Sequence, residues 1–381
     1  MSFRKTAPTI LVLSVIAAMI ALLTIQTRIS DHLVATYDTG EFALIGDITA
    51  TSFRHAQMTA LMEAETIASS PDVQKAFISG NREELLSLTQ EDFTVLHDRH
   101  GISQAQFHTA PATGFLRLHK PDEFGDDQSE FRYMVVDAIK TASPRQGVEI
   151  TRAGVDIFAT VPIFNPDHKV AGSFEVGLEL EGILDDIKMD HQLEVAVFVN
   201  EEKLRKIATK ERPEVFSEEN RVGSYLKVYA THPALIKELV SADDVSIAED
   251  AHYIRDIAGK SYGVLLQPIF NQAHVQIGVI AAVKEFTEDR VAFKKAFIYE
   301  ALASISVSII LIAIILLVMN GMLLRPMAVL RNRLKARVDG QDLPDEKLDI
   351  DARWADEISD VIRYTDDLEH RLDQKSEAGR D

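Results

Sequence analysis

The string Pro162-Ile163-Phe164-Asn165 returns as Pro268-Ile269-Phe270-Asn271, a period of 106 residues (268 − 162 = 106). In each copy a short polar turn leads to a glycine, Gly172 or Gly278, at the same distance from the proline (172 − 162 = 10 and 278 − 268 = 10). An apolar, strand-like run follows each glycine, Ser173 to Leu180 and Val279 to Lys284. Two ordinary hairpins that share a turn type are the plainer explanation. String, spacing and flank together point instead to two tandem modules. The period is too long for a solenoid repeat and suits a small α+β domain.

Two apolar runs bracket this duplication. They explain how a chain with 26% charged residues is still 46% hydrophobic. Ala7 to Ile25 carries no charge and follows Arg4 and Lys5. At ~1.5 Å per residue it just crosses a hydrocarbon core of ~30 Å. The run is long for the apolar part of a signal peptide and lacks a small-x-small cleavage site, so the reading is an uncleaved anchor. Ala301 to Leu324 has no ionised residue, and Arg325, Arg331, Arg333, Lys335 and Arg337 follow it. Basic residues favour the cytoplasmic side. The expectation is therefore a two-pass protein of a bacterial inner membrane, with both termini inside and the region from about Thr27 to Glu300 outside.

The net charge of −19 argues against a nucleic-acid partner, because phosphate binding needs a basic surface. The chain has no cysteine, so the outer region has to hold together by core packing alone. No nucleophile elbow, P-loop, dinucleotide fingerprint or HExxH string is present, and nothing in the sequence points to catalysis or a cofactor. His97, His100 and His108 invite a metal reading. The region reads as strand and loop with Asp98 the nearby carboxylate, and His252 and His274 have no ligand spacing, so no metal site is assigned.

From about Arg28 to Ser69 the chain reads as one long helix. Leu33, Tyr37, Leu44, Ile48, Leu61 and Ile67 recur at helical spacing, Gly40 and Gly46 weaken or bend it, and Pro71 stops it. Shorter helices broken at Gly80 occupy Asp72 to Leu88. Strands are expected at Phe93–Leu96, Gln104–His108 and Phe115–Leu118, then a helix over Ser129–Thr141. A meander follows at Gly147–Thr151, Val155–Phe164 and Ala171–Leu180, then a helix from Leu180 to Met189. The second copy repeats this with a strand at Glu194–Val199, a helix at Pro233–Val240, and strands at His252–Asp256, Ser261–Phe270 and Val275–Val283. A helix from Glu285 to Tyr299 runs into the second apolar run.

Residues Gln106-Phe107-His108, Phe115 through Pro121, Phe124-Gly125-Asp126-Asp127, Phe131-Arg132, Gly147-Val148-Glu149, Gly154 and Val161-Pro162 follow one another in a telling order. That order resembles the double Cache sensor, a pair of PAS-like domains on a long helix, in its variant with an arginine-x-histidine-lysine-proline signature. Such domains are ectodomains of bacterial chemoreceptors and sensor kinases. One position departs: where relatives often carry an arginine four residues before the meander proline, this chain has Phe158. The segment from Leu324 to Leu372 resembles the HAMP linker. Pro326 opens its first helix, with Leu330, Leu334 and Val338 on one stripe. A loop with Gly340 and Pro344 leads to Asp356-Glu357-Ile358, and the spacing of Ile358, Val361, Thr365, Leu368 and Leu372 is that of a coiled coil. An amphipathic juxtamembrane helix pair without a signalling role is the alternative.

These resemblances imply an α+β fold class: two tandem PAS-like (Cache) modules on a long helix, two transmembrane helices and a C-terminal HAMP-type helical hairpin. The expected divisions are 1–27 tail and first span, 28–75 helical stalk, 76–190 membrane-distal module, 191–299 membrane-proximal module, 300–324 second span, 325–373 HAMP linker and 374–381 tail. Arg117 and His119 alternate along an extended segment and so share a face. With Arg132 and Glu149 they form the expected binding site for a small anionic solute, the guanidinium groups clamping a carboxylate or phosphate. Against this stands an internal Arg132–Glu149 ion pair with His119-Lys120-Pro121 as a structural turn. Asp126 and Asp127 are read as turn residues, because adjacent side chains on an extended chain point opposite ways. Pro326, Glu357 and Leu368 mark the expected transmission path in a parallel homodimer. With nine residues after Leu372 (381 − 372 = 9), the partner is expected to be a separate histidine kinase, chemoreceptor or cyclase. A truncated receptor or an ectodomain spacer is the rival.

Overall fold

A computed structural model describes residues 3–339, 360, 361, 363–365, 367, 368, 370 and 371. It divides into two compact units, residues 35–291 and the two terminal segments 1–34 and 292–381. A helix, α1 (Phe3–Ala68), is followed by α2 (Pro71–Ile78) and α3 (Arg82–His100). The first sheet holds β1 (Ile102–Thr109), β2 (Thr113–Arg117), β3 (Arg145–Thr151), β4 (Gly154–Phe164) and β5 (Val170–Leu178), with α4 (Tyr133–Thr141) between β2 and β3. After α5 (Leu180–His191) come β6 (Glu194–Asn200), α6 (Glu201–Ile207), β7 (Arg221–Val222), β8 (Tyr225–Ala230), α7 (Pro233–Leu239), β9 (Ala251–Ile257), β10 (Lys260–Phe270) and β11 (Gln276–Glu285). The chain then forms α8 (Thr287–Val318), a π-helical turn (Met319–Leu324) and α9 (Arg325–Val338).

The two sheets are copies. Their strand orders are β2-β1-β5-β4-β3 and β7-β8-β6-β11-β10-β9, so the second repeats the first and adds β7 at one edge. The duplicated string closes β4 and β10, and it pairs in the same register each time: Ile163 faces Gly172 and Ile269 faces Gly278. Its asparagine makes the turn. Asn165 Oδ1 accepts from the amides of Asp167 and Lys169 at 3.1 and 2.9 Å, and Asn271 Oδ1 from those of Ala273 and Val275 at the same distances. His168 and His274 both take the left-handed conformation, φ 59° and 55°. The repeat is thus a hairpin signature as well as a module signature.

Pleating gives each first-sheet strand two unlike faces. Phe107, Val148, Ile157, Ala159, Val161, Phe174 and Val176 turn to one side and join Phe77, Leu85, Phe93 and Leu96 of the helices in the main core. The rings of Phe107 and Phe174 lie 4.4 Å apart there, and those of Phe77 and Phe107 5.7 Å. Helix α1 contributes Ala56, Ala60, Ala64 and Ala68, small residues one turn apart that allow close approach. At Gly46 the helix runs so near β10 that an added Cβ would sit 3.4 Å from Leu265. That glycine lies in an unbroken helix, and such a contact with Leu265 is in the ordinary van der Waals range. Leu44, expected on the buried stripe, is exposed, while Phe42 and Ile45 are buried. Ile67 is buried and Ile48 and Leu61 pack against the core as their spacing suggests, and the alanines, which carry little hydrophobic signal, complete the face that packs.

Two expected local elements differ. Phe93–Leu96 is helical, not a strand: Leu85, Thr89, Phe93 and Leu96 form the buried stripe of α3, which is capped by the Asn81 side chain and ended by Gly101 at φ 68°. His97 and His100 therefore lie on a helix, and His97 Nδ1 is 2.9 Å from the Ile102 carbonyl. The helix expected from Ser129 begins only at Tyr133, because the Asp127 carboxylate accepts the Ser129 amide and holds that segment in a turn. Asp127 is thus a turn residue as read, whereas Asp126 is ion-paired.

In the terminal unit, α1 and α8 each contain a stretch long and apolar enough to cross a membrane. Ile10, Leu13, Ile20, Ile309, Leu317 and other large apolar residues on them are exposed. The Gln26 side-chain amide donates to Ser304 Oγ at 3.0 Å. Pro326 sits in the first turn of α9; Gly340, Pro344, Glu357 and Leu372 lie outside the described residues.

Gly172 and Gly278 provide a direct check on the duplicated packing. A Cβ on Gly172 would press on the His108 carbonyl and the Phe77 ring, and one on Gly278 on the Phe198 carbonyl. Alanine at either position is expected to cost about 1–3 kcal/mol. Gly182→Ala, at an open position on α5, is expected to gain about 0.5–1 kcal/mol. Thermal unfolding of the three variants checks the contrast, and equal effects at all three would contradict it.

Candidate functional site

The second face of the first sheet is polar and enclosed. Gln106 and His108 on β1, Ser173 and Glu175 on β5, Thr160 on β4 and Glu149 on β3 all point to it, and all six are buried. Helix α4 covers this face with Met134, Val135 and Ala138, and its N-cap residue, Arg132, places a guanidinium in the middle. Arg132 is 2% exposed. It forms an ion pair with Glu175, its Nε lies 3.8 Å from Glu149 Oε2, and it stacks 4.4 Å from the Phe158 ring centre. Phe158, the departure from the family pattern, therefore supplies the surface against which this arginine rests. Glu175 Oε2 also accepts from the Thr160 hydroxyl at 3.0 Å, and Glu149 Oε1 from the Met134 amide at 2.9 Å.

Two carboxylates around one guanidinium leave an excess negative charge inside. Burial pushes Glu149 up to about 7 despite the attraction of Arg132. Burial would also raise Glu175, but the nearer Arg132 outweighs it and holds that carboxyl below its ordinary value. Burial drives His108 down to about 4, so its imidazole is neutral at physiological pH. Among the described residues, both ring nitrogens of His108, Ser173 Oγ and Glu149 Oε2 are buried without a hydrogen-bond partner. Unpartnered groups in an enclosed site are costly and fit a site built to meet a polar solute.

A more open zone adjoins this interior. Arg117 Nη2 donates to Asp126 at 2.9 Å, Nη1 to the Glu123 carbonyl at 2.8 Å and Nε to Gln106 Oε1 at 3.2 Å. Arg152 pairs with the same Asp126 at 2.9 Å, and Lys210 pairs with the Glu123 carboxylate. His119 lies with Nδ1 3.3 Å from the Ala105 carbonyl, and burial lowers it to about 4. Arg117, His119, Lys120, Arg132, Arg152, Glu175 and Lys210 line a cavity of about 50 Å³. It shares Gln104, His119, Lys120, Ala153 and Lys210 with a groove of about 610 Å³ between the modules. Four cations, Arg117, Lys120, Arg152 and Lys210, meet two anions, Glu123 and Asp126, in this outer zone.

Of the four residues singled out from sequence, Arg117, His119 and Arg132 line one cavity, and Glu149 lies behind it on Arg132. The nearest partner of Arg132 is Glu175, which the sequence reading missed together with His108 and Asp126. A signal was present: Gln104, Gln106 and His108 alternate with Ala105 and Phe107, and Ser173 and Glu175 alternate with Phe174 and Val176.

The second module answers most of these positions with apolar residues, Gln106 with Ala196 among them, while the edge position of Glu149 is taken by Arg255, which pairs with Asp244. Register places Phe198 where the first module has His108, Ala281 where it has Glu175, Leu266 where it has Thr160 and Val279 where it has Ser173. These four side by side with Val264 and Val283 form a second closed core under Ile236 and Leu239 of α7.

Tandem α+β modules on one long helix, with a polar enclosed face in the first, define a sensory domain. The chain matches the family described as "Double sensory domain of two-component sensor kinase" over residues 43–266, and it belongs to this double Cache family. Solved structures to which it is similar include the periplasmic domain of Vibrio cholerae LuxQ, at 10% identity over 64% of this chain and 99% of that one, TM-score 0.39. The sensor domain of the V. cholerae histidine kinase DctB is similar at 10% identity over 70% and 97%, TM-score 0.36. The sensory domain of the Campylobacter jejuni chemoreceptor Tlp3, with isoleucine bound, is similar at 11% identity over 67% and 95%, TM-score 0.40. No curated protein sequence matches the chain.

Glu149 makes the stability of the first module depend on pH. Its folded-state value lies above the ordinary glutamate value, so its contribution is full below that value and is lost as pH rises to about 7. His108 and His119 act oppositely, since their depressed values cost stability as pH falls from the ordinary histidine range to about 4. Glu149→Gln, which does not titrate, isolates the first effect. Relative to wild type, this variant is expected to gain stability between about pH 5 and about pH 8. Thermal unfolding at both pH values measures it, and a difference that does not change with pH contradicts the assignment.

Proposed function

We propose that the protein is a transmembrane receptor whose first Cache module binds a small anionic solute outside the cell. The observation that carries this reading is the divergence of the two modules: the same face is polar and charged in one and a closed apolar core in the other. The solute's anionic group meets the outer zone, where cations outnumber carboxylates. Arg117 offers it two donors now held by the Glu123 carbonyl and Asp126, and His119 lies beside it as a neutral imidazole. Arg132 and Glu149 form the floor, with Arg132 fixed by Glu175 and Phe158.

Occupancy shifts the balance between two arrangements of the module, and α8 carries the change into the membrane. Helix displacements of ~1–2 Å are enough for signals of this kind. The second span then passes the change to a HAMP linker that begins at Pro326. Leu334, Val338, Val361 and Leu368 are exposed in a single chain, as apolar positions awaiting a second copy would be. This supports a parallel homodimer that acts on a histidine kinase, chemoreceptor or cyclase at the inner face of the membrane. Basic residues flanking both apolar runs support a bacterial inner-membrane protein with cytoplasmic termini.

Thermal shift of the full-length protein in nanodiscs, with inorganic phosphate and a series of small dicarboxylates, tests the solute reading. A ligand at a hundred times its dissociation constant is expected to stabilise by ~2.7 kcal/mol. Arg117→Gln is expected to weaken that ligand at least about tenfold, the loss of one charge-assisted contact. Absence of any anion-dependent shift, or an unaltered shift in a folded Arg117→Gln protein, sinks the reading. Topology is checked separately by fusions placed after Asn200. Alkaline phosphatase is expected to be active there and a cytosol-dependent fluorescent protein dark; the reverse pattern ends the transmembrane-sensor proposal.

A further inference from the structure

The wall of the small cavity is not built by one module. Lys210 lines it, whereas every other lining residue lies between Gln104 and Glu175. Lys210 follows α6 of the second module, and the loop it belongs to is fixed against the first. Its backbone amide donates to the Arg152 carbonyl at 2.8 Å. The next side chain, Glu211, packs over Gly154, where a Cβ would collide with its carboxylate. Gly154 has φ +129°, a conformation that side chains rarely adopt, so the β3–β4 hairpin is shaped to admit this loop. Lys210 Nζ then reaches the Glu123 carboxylate, and the carbonyl of Glu123 is the acceptor for Arg117.

The ion pair alone would be a surface contact of small value, since both side chains are 43% exposed. The backbone bond and the Glu211 seat make the difference, because they anchor the Lys210 backbone at the mouth, with its ammonium in reach of the cavity, whether or not Glu123 is there. A charge positioned in this way can exchange one anionic partner for another without refolding its loop.

We infer that Lys210 makes the solute site a joint property of the two modules: an entering carboxylate or phosphate takes the ammonium group from Glu123, and this exchange changes the contact between the modules. The inference rests on the solute reading above. Freed from Lys210, Glu123 loosens the loop that follows β2, and the second module gains a direct contact with the solute. Lys210 is therefore a positioning and specificity residue, and its location makes it the shortest route from the solute to the second module.

Hydrogen–deuterium exchange of the full-length protein in nanodiscs tests this, with inorganic phosphate and succinate as separate probes. Without a probe, Lys210→Gln is expected to speed exchange in residues 121–128 about two- to fivefold, and Lys210→Arg to leave it near wild type. In wild type, whichever anion binds is expected to protect residues 117–120, to speed exchange in 121–128 and to alter exchange in 209–212. In Lys210→Gln the same anion still protects 117–120, more weakly, with 209–212 unresponsive. No change in 121–128 on Lys210→Gln overturns the inference. Protection of 117–120 with 209–212 unmoved in wild type also overturns it while leaving the solute reading intact. No response of either segment to either anion removes the solute reading and the inference together.

Discussion

The first module is organised around one buried guanidinium. Arg132 is enclosed by two carboxylates and an aromatic ring, and taking these charges out of water costs several kcal/mol per ion even after relaxation. Such a cluster is a poor source of stability. It persists because the other face of the same sheet is largely apolar and packs on the helices preceding it, so folding is driven from one side while the other is free to specialise. The pleat of the strands makes this separation possible, since neighbouring residues serve opposite faces.

Duplication then shows what that specialisation means. Both modules keep the hairpin, the close-packed glycine and the strand order. They differ where a solute would sit: His108, Thr160, Ser173 and Glu175 in one, Phe198, Leu266, Val279 and Ala281 in the other. A closed apolar core gives the second module rigidity. The polar face gives the first groups whose protonation and pairing can change. The bond between Lys210 and Arg152 and the seat of Glu211 on the β3–β4 hairpin join the two where the polar cavity opens.

Much of this was legible before any coordinates. The repeat gave two modules and their hairpins, because an asparagine that caps a turn and a glycine under a neighbouring carbonyl are local requirements. The meander strands and α5 follow from period-two alternation and flanking turns. Phe93–Leu96 misled because a four-residue apolar run fits a strand or a helix equally well; Leu85 and Thr89, one and two turns earlier, decide in favour of the helix. The stalk's packed face was legible in part, through Ile48, Leu61 and Ile67, whereas Leu44 is exposed and alanines carry much of the packing. In the site, Arg117, His119, Arg132 and Glu149 were identified as a group, but Glu175 was not: its alternation with Phe174 and Val176 marks a face, while the arginine it meets there depends on the fold.

By itself the sequence determined the number of modules, the two apolar segments that flank them, the α+β class and the family, because each depends on periodicity or composition within a short window. Tertiary structure alone decided which carboxylate Arg132 meets, that Phe158 supports it, that among the described residues the enclosed polar face belongs to the first module, and that a lysine of the second module reaches the same cavity. Those facts depend on strand register and on contacts between segments far apart in the chain, and a guanidinium takes whichever carboxylate the folded backbone brings within reach.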